Sequence, residues 1–274
     1  IEIKTWLDVF IIAPLILYGL HLLLIKKNRV LYFTSLSILF IQNYYFGYMM
    51  AIFLIFWFFV QTTWDFKNRI KTFLDFTIVS ILSGVTSLIM ILPTFLDLKT
   101  HGEKLTSVDR LFTEKTWFLD IFAKNFIGSF DTTKYGSIPM IYVGIVPLLL
   151  AILFFTLKSI KFHVKLSYFF LIIIFIASFS LERLDLFWQG MHAPNMFLHR
   201  YSWLFSLFII FLAAETLQRL KQIKFKNLII SFTILSIGFI LVFVFRKHYD
   251  FLGPVNFILT LEFLLAYLLI FGTF

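Results

Sequence analysis

The sequence contains no cysteine, which excludes disulfide bonds, thiol catalysis and cysteine-ligated metal sites. Charged residues are scarce as well: they make up 14% of the 274 positions, whereas 60% are hydrophobic and 39 are Phe. A soluble domain of this length could not cover so much apolar surface with polar side chains. Apolar runs of about 17–25 residues recur along the chain, so the sequence predicts an all-α, polytopic membrane helix bundle.

Basic residues outnumber acidic ones, giving a formal charge of +9. Nucleic acid is not the expected partner, because the Lys and Arg residues lie in short clusters between apolar runs. This arrangement is typical of membrane topology, in which cytoplasmic loops are enriched in positive charge. We therefore expect a membrane location, with membrane lipids as the surroundings.

The ends of the sequence show neither an initiator Met nor a signal peptide, and the C-terminal end, LLIFGTF, is still apolar. We therefore expect residues 1–274 to be a single transmembrane domain that is a fragment of a longer protein. The predicted spans are Val9–Ile25, Thr72–Leu92, Pro139–Leu157, Leu166–Leu181, Trp203–Leu217, Leu228–Phe245 and Val255–Gly272.

The apolar run Val30–Val60 is harder to interpret, because IQNYYFGYMM interrupts it with polar and aromatic residues. One helix of this length would extend about 46 Å, against a hydrocarbon core of about 30 Å. A break near Asn43 instead makes a helical hairpin, with arms at residues 30–42 and 45–60. The hairpin places four clusters on one side, containing three, three, three and four basic residues. Because short loops dense in Lys and Arg are cytoplasmic, we favour the hairpin.

This topology places the loops 93–138 and 182–202 on the outer face. Apolar residues recur with helical spacing between Ser107 and Phe126, and Ser107 and Thr116 are suitable N-caps. We expect one or two extracytoplasmic amphipathic helices there, either as a packed lid or as a platform for a lipid headgroup.

Residues 182–202 contain two His, an Asn and two Arg beside a membrane edge. The spacing of His192 and His199 matches no known metal pattern. Arg200 can bind a phosphate with its guanidinium, or it can reach toward water at the membrane interface, and the sequence leaves both open. Glu262 lies midway along the last predicted span, where an ionisable group is costly unless it is paired. We therefore expect it to have a functional role.

Four strings resemble the YfhO family of bacterial multi-pass membrane proteins and occur in that family's order. They are WLDVFIIAPLILYGLH, NYYFGYMMAIFLIFWFF, GSFDTTKYGSIPMIYVGIVPLLLAILFF and GMHAPNMFLHRYSWLFSLFIIFLAAE. The resemblance implies a glycosyltransferase-C-like fold and a multi-pass location in the bacterial cell membrane. It also implies an enzyme that takes a sugar from a polyprenyl-phosphate carrier and adds it to a cell-envelope glycopolymer, such as a teichoic acid, on the outer face.

The resemblance also suggests site residues. The main catalytic acid of this fold class is expected in a first outer loop, upstream of Ile1. Asp8 matches a family string as a candidate for orienting the acceptor hydroxyl or supporting an upstream base. Arg200 matches one as the phosphate-binding group, with His192 or His199 assisting. The candidates for the sugar or acceptor pocket are Asn43, Tyr44, Tyr45, Tyr48, Asp131 and Asn195. A divalent metal is compatible with this chemistry, although no ligand spacing indicates one.

Two other functions stay open from the sequence alone. A flippase or transporter of polyprenyl-linked sugars would use Glu262 and the hairpin as its polar, moving elements. A non-catalytic scaffold of a glycosylation complex would need neither. Transfer of sugar in detergent would separate an enzyme from a flippase, because flipping requires a vesicle membrane.

Overall fold

The computed structural model of the chain describes residues 2–64, 69–102, 106–113, 116–131, 137–194, 196 and 198–272. The helices in these ranges are α1 Glu2–Lys26, α2 Val30–Gln42, α3 Tyr44–Thr62, α4 Arg69–Thr86, α5 Leu88–His101, α6 Asp120–Ala123, α7 Ile145–Thr156, α8 Phe162–Ser180, α9 Glu182–Trp188, α10 Ser202–Leu217, α11 Phe225–Val244 and α12 Pro254–Gly272. Two short 3-10 turns, Leu220–Gln222 and Arg246–His248, flank α11.

The all-α, polytopic prediction is confirmed. Within the described residues, α1, α3, α8, α11 and α12 are each long and apolar enough to cross a membrane. The pair α4 and α5 makes a sixth candidate if it is taken as one broken span. Helices α2, α7 and α10 are apolar but shorter, at 13, 12 and 16 residues.

The chain divides into two compact units. Unit 1 consists of Ile1–Ser107 and Leu186–His192, and unit 2 consists of Val108–Asp185 and Ala193–Phe274.

In unit 1 the chain reverses direction at Asn43, as the hairpin prediction requires. Asn43 has non-helical backbone angles (φ −151°, ψ 88°), and its side chain caps α3 by accepting a hydrogen bond from the Phe46 backbone N–H at 3.1 Å. Tyr32 on α2 and Phe58 on α3 both stack on the ring of Phe76, with centroids 6.0 and 4.6 Å away. A continuous helix would separate Tyr32 from Phe58 by about 39 Å. The two arms therefore lie side by side.

The predicted span Thr72–Leu92 is not one straight helix, because α4 and α5 meet at Ser87 with a bend of 69°. The Ser87 hydroxyl donates to the Ser83 carbonyl at 2.8 Å and contacts the Ser37 carbonyl of α2 at 3.1 Å. Hydroxyls that bond to a carbonyl one turn back compete with the helical ladder and bend helices. The link to α2 then holds the bend in place.

Unit 2 is built on an aromatic core shared by α7, α8 and α10. Tyr168 of α8 packs against Phe154 of α7 and Phe208 of α10, with ring centroids 4.9 and 5.7 Å apart. Phe175 of α8 adds an edge-to-face contact with Phe205 at 5.5 Å. All five rings are essentially buried, so these helices are held by area burial and by favourable ring geometry.

The amphipathic helices predicted between residues 107 and 126 are not present in the described part of that segment, where only the single turn α6 is helical. The backbone is instead paired with the end of α8. Thr113 donates its N–H to the Ser180 carbonyl at 3.0 Å, and Glu182 donates to the Leu111 carbonyl at 3.2 Å. Tertiary pairing of the backbone thus overrides the helical spacing of the apolar side chains.

The predicted span Pro139–Leu157 also begins later than expected, since α7 starts at Ile145. The Asn125 side chain accepts from the Val143 N–H at 3.0 Å and donates to the Ile141 carbonyl at 3.4 Å. These bonds hold the preceding residues in an irregular strap. Gly144, with φ 85°, then turns the chain into α7.

Candidate functional site

One end of unit 2 gathers most of its irregular segments. The Ser202 hydroxyl at the start of α10 donates to the Met140 carbonyl at 3.1 Å. The Asn256 side chain at the start of α12 donates to the Ile127 carbonyl at 2.9 Å. These bonds join the segment before α7 to the starts of two other helices. We call this region the loop end of unit 2; its described residues are 108–113, 116–131, 137–144, 181–185, 193–194, 196, 198–202 and 245–254.

The opposite end of unit 2 is basic. The Asn227 side chain at the start of α11 donates to the Thr156 carbonyl at the end of α7 at 3.3 Å, which places these helix ends together. Seven basic residues lie around them, namely Lys158, Lys161, Lys165, Arg219, Lys221, Lys224 and Lys226. The nearby Glu215 is paired with Arg219 at 2.5 Å. The two ends of unit 2 therefore differ in charge and in the variety of their side chains.

A buried Asp–His pair lies at the loop end. His199 Nδ1 is 2.6 Å from Asp185 Oδ1, and the two side chains are 3% and 12% exposed. Asp185 is on α9, whereas His199 precedes α10 in the left-handed region with φ 55°. Within the described residues, His199 Nε2 is buried and has no hydrogen-bond partner. The imidazole is thus held through one nitrogen and open for bonding at the other.

Tyr201 shares the same carboxylate. Burial raises the pKa of the Tyr201 hydroxyl well above its usual value, and the charge of Asp185 and a hydrogen bond to it raise the pKa further. The Tyr201 ring stacks on Phe179 at 5.4 Å. Tyr201 is therefore a neutral group that orients Asp185, and it is not a source of protons near neutral pH.

A second buried acid, Asp120, starts α6. Its Oδ1 accepts from the Tyr249 hydroxyl at 2.9 Å, and its Oδ2 accepts from the Trp117 N–H at 2.8 Å. Burial raises the pKa of Asp120 to about 6, although the two hydrogen bonds and the charges of His248 and His199 act to lower it. Burial is the main cause that raises the pKa of Tyr249, and the adjacent Asp120 carboxyl raises it further. Asp120 therefore changes charge in the range where imidazoles also titrate.

Asp131, which the sequence predicted for a sugar pocket, instead forms a nearly buried ion pair with Lys124. Its other oxygen accepts from the Ile138 N–H at 2.9 Å. The Lys124 ammonium also lies 5.2 Å from the centroid of Phe251. Both carboxylate oxygens are thus engaged, and Asp131 serves to fix the loop.

Arg200 lies at the loop end, half-buried, and donates from Nη2 to the Met196 carbonyl at 3.2 Å. His192 belongs to unit 1, where its Nδ1 is 2.9 Å from the Gly190 carbonyl oxygen. Asn195 lies outside the described residues. Of the residues predicted to bind the carrier phosphate, unit 2 therefore contains Arg200 and His199, which are adjacent in the chain.

The remaining pocket candidates belong to unit 1. Asp8 accepts a hydrogen bond from Gln42 at 2.6 Å, which places it at the same end as the Asn43 turn. Tyr44 is 41% exposed beside that turn. Tyr45 packs edge-to-face on its neighbour Phe46, and the Tyr48 hydroxyl donates to the Phe187 carbonyl at 2.8 Å.

Glu262 is exposed on α12, and no hydrogen bond or ion pair to it occurs within the described residues. The same residues contain no group of three or more His, Asp or Glu side chains arranged to hold a metal ion.

Sequence reasoning missed several members of the loop-end cluster. Asp185 lies 14 residues before His199, a separation with no helical or motif meaning, so nothing in the sequence indicates that pair. Tyr249 and Asp120 are 129 residues apart. One local signal was available: an acid three residues after Trp117 suits the capping of a short turn, which indicates Asp120.

Comparison with known proteins agrees with the strings noted above. The family described as "Bacterial membrane protein YfhO" matches residues 1–274, the whole chain. A search of curated proteins found no match, and a search of solved structures found none either. With its several apolar spans and this full-length match, the chain belongs to the YfhO family of bacterial membrane proteins and is a multi-pass membrane protein.

Proposed function

We propose that this chain is the membrane domain of a glycosyltransferase. The enzyme would move a sugar from a polyprenyl-phosphate carrier to a cell-envelope glycopolymer of the teichoic-acid type on the outer face. The YfhO family is assigned in general terms to the glycosyltransferases. The observation that carries the proposal is the buried cluster of Asp120, Asp185 and His199 at the loop end, beside Arg200. Clusters of buried acids and imidazoles are typical of sites that move protons.

The charge distribution of unit 2 supports an outward-facing loop end. Its opposite end is rich in Lys and Arg within two short connections, 157–161 and 218–224. Short connections of that composition remain in the cytoplasm. Chemistry at the loop end would then take place on the outer side, where a cell-envelope polymer is available.

The reaction requires two kinds of protein group. An acceptor hydroxyl must lose its proton as its oxygen attacks the anomeric carbon of the sugar. The bond from that carbon to the carrier phosphate breaks, and negative charge grows on the leaving phosphate. Arg200 suits the second task, because a guanidinium is always charged and matches two phosphate oxygens at once.

The test uses purified full-length protein in detergent, without vesicles. The donors are polyprenyl-phosphate-linked hexoses and N-acetylhexosamines labelled in the sugar, and the acceptor is a teichoic-acid preparation. We expect label on the polymer, a result that flipping and scaffolding do not produce. Absence of transfer from every donor by folded protein would overturn the proposal.

Arg200→Ala tests the site itself. We expect transfer to fall by roughly 10²–10³-fold, because one fixed charge on the leaving group is lost. Arg219→Ala is the matched control, since Arg219 lies at the basic end and pairs with Glu215. Equal rates for Arg200→Ala and the wild type would remove Arg200 from the site.

A further inference from the structure

His199 combines two unfavourable features. Its backbone is left-handed, with φ 55°, although it is not a glycine. Its Nε2 is buried and has no hydrogen-bond partner in the described part of the chain. Both features are unfavourable, and residues that carry them are concentrated at functional sites.

Asp185 determines which nitrogen carries the proton. The 2.6 Å contact joins Asp185 Oδ1 to His199 Nδ1, so in the neutral ring Nδ1–H donates and Nε2 presents a lone pair. A lone pair accepts a proton and has no attraction for a phosphate anion. The contact therefore favours a base over the phosphate-binding role that the sequence suggested for His199.

The surroundings of the pair suit proton acceptance. The rings of Phe179 and Tyr201 lie edge-on to the imidazole, with centroids 6.0 and 6.4 Å away. Aromatic walls exclude water that would compete with an acceptor hydroxyl. Asp185 contacts the imidazole of His199, the Tyr201 ring packs against it, and Asp120 interacts with it electrostatically. Ionised carboxylates stabilise the imidazolium that forms when Nε2 takes a proton.

We infer that His199 is the general base of the transfer, with Asp185 as its positioning residue, an inference that rests on the proposed function. The proton of the acceptor hydroxyl moves to Nε2, and the oxygen electron pair forms the new bond to the anomeric carbon. The bond between that carbon and the phosphate oxygen breaks, and its electron pair leaves on the polyprenyl phosphate. The imidazolium then returns its proton to water.

The experiment compares two nucleophiles in His199→Ala, using the full-length protein and the labelled donors above. Transfer to the polymer should fall by about 10²–10⁴-fold, the usual contribution of a general base. Azide is already an anion and needs no base. Sodium azide should therefore yield labelled glycosyl azide faster in His199→Ala than in the wild type.

The controls separate a chemical role from a structural one. His163→Ala, at the basic end, should transfer like the wild type. His199→Gln keeps the size of the side chain but accepts no proton, so its transfer should also fall while its melting temperature is kept. Asp185→Asn should lower kcat more than it raises KM for the donor, because the carboxylate acts through His199.

Three outcomes would be decisive. Wild-type transfer by His199→Ala, or by a well-folded His199→Gln, would overturn the inference. Loss of transfer with no gain of glycosyl azide would also overturn it, since a structural role affects both nucleophiles. Failure of the wild type with every donor would instead contradict the proposed function.

Discussion

Three buried carboxyl groups at the loop end of unit 2 differ in what holds them. Asp131 is neutralised by Lys124, and Asp120 is held by two neutral donors, the Tyr249 hydroxyl and the Trp117 N–H. Asp185 holds an imidazole whose second nitrogen has no partner within the described residues. The first two arrangements are complete in themselves, whereas the third is completed by an added hydrogen-bond donor. Among these three carboxyl groups, Asp185 is therefore the one that holds the proposed base directly.

Asp120 gives the protein a pH-dependent stability. Its pKa is about 6 when folded, against about 3.9 in an unfolded chain. Because the folded state holds the proton more tightly, the stabilisation is complete below about pH 4 and is lost as pH rises through about 6. The groups that act on it are Trp117, Tyr249, His248 and His199.

Asp120→Asn should remove this dependence. The free energy of unfolding should vary by about 2–3 kcal/mol less than in the wild type between pH 4 and pH 7. Thermal melting in detergent across that range measures the difference. Asp250→Asn is the control, because Asp250 is exposed at the same end. If the melting temperatures of Asp120→Asn and the wild type changed equally between pH 4 and pH 7, this account of the Asp120 carboxyl would be refuted.

Helices in unit 1 approach one another most closely where glycine removes a side chain. A Cβ atom added at Gly19 of α1 would lie 2.6 Å from the Tyr32 backbone N and 2.7 Å from its Cα. A Cβ at Gly47 of α3 would lie 2.6 Å from a ring atom of Phe40 on α2. The hairpin arm α2 is therefore enclosed by contacts that depend on small residues. The backbone of Tyr32 cannot turn away from an added Cβ atom, whereas a flexible side chain could.

Gly19→Ala should destabilise unit 1 by about 1–3 kcal/mol, the usual cost of overpacking. Gly84→Ala on α4 is a matched control, because nothing lies within 4 Å of its added Cβ. That control should be neutral or more stable by up to about 1 kcal/mol, since alanine favours helix. Melting temperatures in detergent distinguish the two variants. Equal melting temperatures would show that α1 and α2 do not pack as closely as described.

At the scale of the whole molecule, each unit taken by itself has one basic end. In unit 1, Lys27 bonds to Thr72 at 2.6 Å and Arg29 pairs with Asp75 at 2.6 Å, which brings two basic clusters together. In unit 2, the clusters around Lys158 and Lys221 share an end. For unit 2 taken by itself, the positive-inside rule favours a cytoplasmic basic end, and the proposed chemistry lies at its loop end.

Helices were predictable from the sequence because apolar runs of membrane length have few alternatives in lipid. The turn at Asn43 was predictable from length and charge together. Other features depend on distant partners: the bend at Ser87 depends on Ser37, and the irregular strap before α7 depends on Asn125. The Asp185–His199 pair belongs to this second class. Residue types and spacing do not encode such contacts, which only packing of the chain creates.

Mapping the binding position of the carrier phosphate is the measurement that tests the central claim most directly. A polyprenyl-phosphate sugar with a photoreactive group near the phosphate is cross-linked to full-length protein, and the labelled peptides are identified by mass spectrometry. The account predicts label in the loop-end segments, above all in the peptide that contains His199 and Arg200. Label confined to the basic end, around 157–161 and 218–226, would contradict it.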